Sequence, residues 1–330
     1  MSLLRVENLE VTLQTSVGPA RAVRDVSFQL ERGQSLGIVG ESGCGKSMTA
    51  LALMGLLPEG ATTAGRVMLG EDDLLTMPEN ELCGVRGNRL AMIFQEPMTS
   101  LNPLHTIGAQ VMEPLLLHRG LHKSEARDEA YRLLDQVGIP NAKSRLDNYP
   151  HQLSGGQRQR VMIALALSCD PDILIADEPT TALDVTIQSQ ILDLIEQLVS
   201  RLGMSLILIS HDLGVISESV DRVMVMYGGT VVESGPTQSL FHALAHPYTR
   251  GLFASMPRLG GKRERLTTIP GTVPDLADLP TGCTFAGRCP LVTEACRAAP
   301  PPRLPVADGH EAACIHLDLA TAARPSELFS

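Results

Sequence analysis

Tryptophan is absent from this chain of 330 residues, and only four Tyr and six Phe supply aromatic rings. So few rings leave little side-chain surface on which nucleobases could stack. Basic residues are also in deficit, 27 Lys and Arg against 37 Asp and Glu, for a formal net charge of −10. Proteins that grip nucleic acid usually carry a basic face, so both shortages argue against a DNA or RNA partner. No apolar run approaches the ~20 residues that span a bilayer. The opening Leu3-Leu4-Arg5-Val6 lacks the basic stretch and apolar core of a signal peptide. The expectation is a protein that stays in the cytosol and reaches a membrane only through a partner.

Hydrophobic residues make up 44% of the chain, enough for a real core, and the length suits one large or two ordinary domains. Short β-type runs open it at 4–9, 23–30 and 35–39, and the third leads into Gly40-Glu41-Ser42-Gly43-Cys44-Gly45-Lys46-Ser47. That octet fits the phosphate-loop pattern G-x-x-x-x-G-K-[ST] in full. Residues 46–57 read as the helix that should follow such a loop, stopped by Pro58. Further strands are expected at 66–70 and 90–95. From 106 to 149 a helical period dominates, as in 124–137, closed by Gly138.

Alternation of strand and helix then returns. Over 185–202, Ile187, Ile191, Leu194, Ile195, Leu198 and Leu202 share one helical face. Residues 205–210 form a continuous apolar strand, and 222–226 with 230–233 read as a hairpin around Gly228-Gly229. A Gly/Pro/Arg-rich stretch, 257–280, precedes a short cysteine-bearing tail in which Pro300-Pro301-Pro302 must be a loop. No internal repeat is visible.

The chemistry lies at the ends of these strands. Glycines in 40–45 let backbone N–H groups turn toward phosphate oxygens at the positive end of the next helix. Lys46 is placed to neutralise the β- and γ-phosphates, and Ser47 to put a hydroxyl on Mg²⁺. Ile173-Leu174-Ile175-Ala176 delivers Asp177-Glu178 to the C-terminal edge of a sheet, where ligands of α/β folds collect. Asp177 there suits a Mg²⁺ ligand acting through water, and Glu178 a general base that polarises the attacking water. Between loop and carboxylates stands Leu153-Ser154-Gly155-Gly156-Gln157, whose hydroxyl, glycines and following helix offer a second surface for anions.

Phosphate loop, LSGGQ, then apolar strand with Asp-Glu is an order that resembles the ATP-binding cassette (ABC) family. The resemblance implies an α/β P-loop NTPase cassette with a β subdomain and an inserted helical subdomain. Residues 1–256 are expected to form the ATPase, with the helical subdomain at about 97–152, and 257–330 a linker and Cys-rich extension. It further implies that Gln95 reaches Mg²⁺ and the water, and that His211 in Ile209-Ser210-His211-Asp212 contacts the γ-phosphate. Taken alone, a Gln is ordinary surface and a His after a strand ordinary polar capping; their slots in the motif order argue otherwise. Ala182-Leu183-Asp184 resembles the loop through which two cassettes touch.

In the family LSGGQ closes over ATP held by the opposite subunit. One copy of each motif makes this chain half a machine, needing a second ABC ATPase subunit. A heterodimer is expected, with a homodimer left open. The family's adenine-stacking aromatic has no counterpart near Val11-Thr12-Leu13, where the position falls on Leu13.

Three segments narrow the resemblance to the dipeptide/oligopeptide/nickel importer ATPases. They are Gln95-Glu96-Pro97-Met98-Thr99-Ser100-Leu101-Asn102-Pro103, His246-Pro247-Tyr248-Thr249-Arg250-Gly251-Leu252, and the tail Gly282-Cys283…Arg288-Cys289-Pro290…Cys296…Cys314. Such a protein sits peripherally on the cytoplasmic side of the inner membrane. It binds ATP and Mg²⁺ and drives two membrane permeases, while an extracytoplasmic binding protein selects the peptide, nickel, glutathione or other solute. The competing class is a soluble ABC ATPase of the DNA-repair or chromosome type. The short interval 48–152, with no room for a long coiled coil, and the negative charge disfavour it.

Seven cysteines remain to be placed. Cys44, Cys83 and Cys169 are scattered. Cys44 beside Lys46 at a helix N-terminus is expected to be the most reactive of these, shielded by MgATP. Cys283, Cys289, Cys296 and Cys314 are spaced C-x5-C-x6-C-x17-C, without the close pairs usual for zinc. Spacing leaves an iron–sulfur cluster, a zinc ion with His310 or His316 as substitute ligands, and plain packing all open. The resemblance implies a cluster, of the 4Fe–4S type.

Overall fold

The computed structural model describes residues 2–95, 100–181, 183–255, 268–322 and 328–329. Glu96 to Thr99, Ala182 and the expected domain boundary at 256/257 lie outside the described residues. Two compact units are present, neither a continuous stretch of chain.

The first unit is built mainly from Thr76–Ile209, with Leu30–Ser35. Its strands Leu90–Ile93, Ile173–Asp177 and Ser205–Ser210 run parallel, in register Leu90↔Ile173 and Ile173↔Ser205, and every residue in them is buried. Continuous apolar runs are what a sheet covered on both faces demands. The first of these strands ends two residues before the expected Gln95, which stands beyond the ladder and is exposed.

Helices Ile107–His118 and Lys123–Gln136 pack on each other and on Gly155–Ala166. Thr106 caps the first, its hydroxyl accepting from Ala109 N–H at 3.3 Å. Gly138 closes the second at φ 75°. Helix Val185–Leu202 begins at Asp184, whose carboxylate accepts from Ile187 N–H at 3.0 Å, and ends on left-handed Gly203. Ile191, Ile195 and Leu198 are its buried stripe, whereas Leu202 at its end is exposed.

The second unit is made of Leu4–Gln29, Leu36–Leu75 and Ser210–Ser330. It holds an antiparallel sheet in the order Gly18–Glu31, Ser2–Thr15, Thr62–Leu69, Asp72–Asp73. The long N-terminal strands exceed the expected 4–9 and 23–30 because hairpin pairing continues past the apolar stretches into polar ones. Also in this unit, Ser35–Val39 runs parallel to Arg222–Tyr227, which is antiparallel to Thr230–Pro236. Two tail strands, His310–Ala312 and Leu304–Ala307, continue that pairing. The sequence reading missed them, although Asp308-Gly309 between them is a two-residue hairpin signal, with Gly309 at φ 64°.

Helix Lys46–Leu53 is shorter than the expected 46–57. Gly55 at φ 61° ends it, so the stop is a glycine turn and comes before Pro58.

Candidate functional site

The phosphate loop lies in the second unit, between the strand Ser35–Val39 and the helix Lys46–Leu53. Gly40 takes φ 154°, and a Cβ there would stand 2.3 Å from the Met226 carbonyl oxygen and 2.6 Å from Cys44 Sγ. Only glycine lets the chain turn so close to the neighbouring strand. Lys46 is buried, and its Nζ donates to the carbonyls of Gly40 at 2.8 Å and Glu41 at 3.1 Å. The ammonium is therefore held inside the loop. Ser42 and Gly43 are exposed, Gly45 is buried and Ser47 is half-buried on the first turn. Leu13 is half-buried in the strand Ser2–Thr15, one residue past the Thr12↔Thr62 pair.

Cys44 departs from expectation. It is 1% exposed, and burial pushes its thiol up although Lys46 Nζ stands 3.9 Å away. Desolvation of the thiolate outweighs the nearby cation. Among the three scattered thiols the exposed one is Cys83, while Cys169 is buried.

Two further residues grip the loop, and sequence reasoning gave neither a task. The Glu41 N–H donates to Tyr248 Oη at 2.8 Å, so Tyr248 of the His246-Pro247-Tyr248 segment caps the loop backbone. The Glu41 carboxylate takes both terminal nitrogens of Arg288, at 2.7 and 3.3 Å. Tyr248 belongs to an aromatic cluster with Tyr227 and Phe285, ring centroids 4.7–5.4 Å apart. A chain poor in aromatics thus concentrates several of them beneath its phosphate loop. His246 in this cluster is wholly buried, and desolvation lowers its pKa to about 4 despite nearby Glu233.

The carboxylate pair and the glutamine lie in the first unit. Asp177 ends its strand and is 4% exposed. Glu178 turns into the left-handed region at φ 45°, with its N–H on the Ile209 carbonyl at 3.0 Å. Holding a non-glycine residue there costs of order 1–3 kcal/mol, a strain typical of functional positions. The turn brings Glu178 Oε2 within 3.1 Å of both Gln95 Nε2 and Thr181 Oγ1, which donate to it. Gln95 and Glu178 are 83 residues apart, and the fold makes them neighbours.

The signature segment is also in the first unit. Leu153 is buried, whereas Ser154 and Gly155 are exposed and Gly156 half-buried. Ser154 Oγ accepts from Gln157 N–H at 3.3 Å, and Gln157 Oε1 accepts from Ser154 N–H at 3.2 Å. This reciprocal capping box fixes the N-terminus of Gly155–Ala166 and leaves the serine facing solvent. His211, in the second unit, is exposed after the strand Ser205–Ser210. Asp212 beside it caps the next helix by accepting from Gly214 N–H at 2.8 Å.

In the tail, Cys283, Cys289, Cys296 and Cys314 all line one cavity of about 200 Å³ with Phe285, His316 and the Pro300-Pro301-Pro302 loop. Burial pushes the Cys283 thiol up to about 11 and the Cys289 thiol to about 12, and also raises Cys314. Among the described residues no three His, Cys, Asp or Glu side chains are grouped so as to hold a metal ion. His316 Nε2 meets Thr293 Oγ1 at 3.0 Å, whereas His310 is committed to Glu233 Oε1 at 2.9 Å, both of that pair being 0% exposed. Gly282 is required, since a Cβ would lie 2.3 Å from the Cys296 carbonyl oxygen. No helix among the described residues is long and apolar enough to cross a membrane.

Residues 23–181 match the ABC transporter family, and residues 232–296 match the oligopeptide/dipeptide transporter C-terminal region. The chain is 48% identical to the dipeptide transport ATP-binding protein DppD of Escherichia coli, over 99% of this chain and 100% of that protein. It is 50% identical to the oligopeptide transport ATP-binding protein OppD of Salmonella typhimurium, over 91% of this chain and 89% of that one. A solved dimer of the ATP-binding cassette MJ0796, in a post-hydrolysis state bound to ADP and Pi, superposes with a TM-score of 0.64 at 28% identity. That match covers 71% of this chain and 98% of the cassette.

Proposed function

The chain belongs to the ATP-binding subunits of the dipeptide/oligopeptide ABC importers, and from that membership we propose how its residues share the work of ATP-driven uptake. It is an ABC-type ATPase coupled to transport. In the proposed division, Gly40 to Gly45 cradle the phosphates by their N–H groups, Lys46 neutralises them, and Ser47, Gln95 and Asp177 hold Mg²⁺. Glu178 takes the proton of the attacking water, Gln95 orients that water, and His211 contacts the γ-phosphate.

The observation that carries this reading is the strained turn at Glu178, which sets its carboxylate against Gln95 at 3.1 Å. Such strain fits a base whose position must be fixed before substrate arrives.

Ser154, Gly155 and Gly156 at the capped helix N-terminus close on ATP of a second ABC ATPase subunit. We favour a heterodimer, with each ATP sandwiched between one chain's phosphate loop and the other's LSGGQ. Closure moves two permease subunits, and hydrolysis reopens the pair. The protein would work on the cytoplasmic face of the membrane, with the peptide chosen by an extracytoplasmic binding protein and the permeases. Deleting this chain should abolish growth on defined di- or oligopeptides while leaving growth on free amino acids intact. Undiminished growth on every peptide tested would refute peptide uptake.

We also propose that the tail cysteines hold a 4Fe–4S cluster. Four thiols lining one cavity could supply the four thiolates such a cluster takes, and the wide C-x5-C-x6-C-x17-C spacing lacks the close pairs usual for zinc. Such a group would bind Cys283, Cys289, Cys296 and Cys314 as thiolates, displacing their protons, and would tie down the Pro-rich tail. Anaerobically purified protein should contain about four iron atoms per chain and absorb visible light. Stoichiometric zinc without iron, or no metal, would overturn the assignment.

A further inference from the structure

Arg288 stands next to Cys289 in the tail, 247 residues from the phosphate loop in sequence, yet its guanidinium lies on that loop. An Arg side chain has five N–H donors, and here each of its three nitrogens has an oxygen partner. Nε donates to the Pro270 carbonyl at 2.9 Å. One terminal nitrogen reaches Glu41 Oε2 at 2.7 Å and Tyr227 Oη at 3.4 Å. The other reaches Glu41 Oε1 at 3.3 Å and the Ile269 carbonyl at 3.4 Å. The Arg288 side chain is only 7% exposed and its partner Glu41 is 26% exposed. The guanidinium carbon also sits 5.7 Å from the Tyr227 ring centroid.

Glu41 is thereby pinned at three points. Its N–H is held by Tyr248, its carbonyl oxygen by the Lys46 ammonium, and its carboxylate by Arg288. A carboxylate within a phosphate loop opposes binding of a polyanion, because like charges at close range repel. A bidentate Arg–carboxylate pair removes that opposition and fixes the side chain's direction. We propose that Arg288 is a positioning residue for ATP binding. It neutralises and anchors Glu41, keeping the loop and Lys46 set for the triphosphate, and so makes the tail a working part of the nucleotide site. This rests on the phosphate-loop reading above.

The test is a double-mutant cycle on the full chain, measuring MgATP affinity, with the KM for ATP and kcat of the assembled transporter alongside. Arg288→Ala should weaken binding about tenfold, because the triphosphate then meets an uncompensated, partly exposed carboxylate on the loop. KM should carry the change and kcat much less of it. In a Glu41→Gln background the same substitution should cost less than about twofold, since the charge it answers is gone.

Arg288→Lys keeps the charge but has fewer donors and no planar fork. It should fall between wild type and Arg288→Ala, and it serves for the cycle if the alanine variant does not fold. Unchanged affinity in Arg288→Ala, or an equal loss in the Glu41→Gln background, would overturn the proposal. Lys46→Ala is the control. If it too binds MgATP normally, the phosphate-loop reading itself fails. If it loses binding while Arg288→Ala does not, only the role of Arg288 fails.

Discussion

Glu178→Gln should lower ATP hydrolysis by the assembled transporter at least ~100-fold, the scale on which general bases act, while MgATP stays bound. The amide has the size of the carboxylate and an oxygen that still accepts from Gln95 Nε2 and Thr181 Oγ1, now 3.1 Å away. What it lacks is basicity. In the proposed division of roles the phosphate cradle lies on other residues, Gly40 to Ser47, so binding should survive and nucleotide should accumulate on the protein. Turnover and retained nucleotide measured on one preparation decide the matter. Residual hydrolysis above about a tenth of wild type would remove Glu178 from the role of base and leave the strain at its φ of 45° without this explanation.

Glu233→Ala should produce the largest loss of stability. Glu233 is 1% exposed, and its side chain accepts from three donors, Ala245 N–H, His246 N–H and His310 Nε2, each at 2.9 Å. Alanine would strand all three in an apolar interior. Removing one member of a buried, hydrogen-bonded charged network typically costs ~3–5 kcal/mol. For folding units of this size that corresponds to a fall of roughly 10 °C in melting temperature. His310→Ala should cost less, because the carboxylate keeps its two backbone donors. Calorimetry on both variants tests the ranking. A melting temperature within a degree or two of wild type for Glu233→Ala would show that the tail is not held through this carboxylate.

These expectations differ in how they can be reached. The proposed role of Glu178 follows from its place after Ile173-Leu174-Ile175-Ala176-Asp177, and the fold adds its strained turn and its contact with Gln95. The network at Glu233 could not be foreseen. In sequence this residue ends an ordinary apolar run, Val231-Val232, and its partner His310 stood only as a substitute zinc ligand. His310 lies on a tail strand paired beside Thr230–Pro236, and that pairing placed the imidazole on the carboxylate. The hairpin signal Asp308-Gly309 was present, but it says nothing about which strand the hairpin will join.

Cys44 shows the same limit from the other side. Its neighbours in sequence, a lysine and a helix start, argue for a reactive thiolate. Yet Gly40 brings the adjacent backbone so near that the thiol is sealed in, and desolvation prevails over the lysine.

By itself the sequence determined the phosphate loop, the LSGGQ helix start, the Asp-Glu strand end, the helix over 185–202 and the branch of the family. All of these depend on residues close together in the chain, where turn geometry, capping and periodicity act directly. Only the tertiary structure decided that Tyr248 and Arg288 hold Glu41 across 207 and 247 residues, and that Glu233 anchors His310. Such pairings leave no period or spacing to read. They exist because strand pairing and burial bring distant segments into contact, and a buried polar group must then find its partner there.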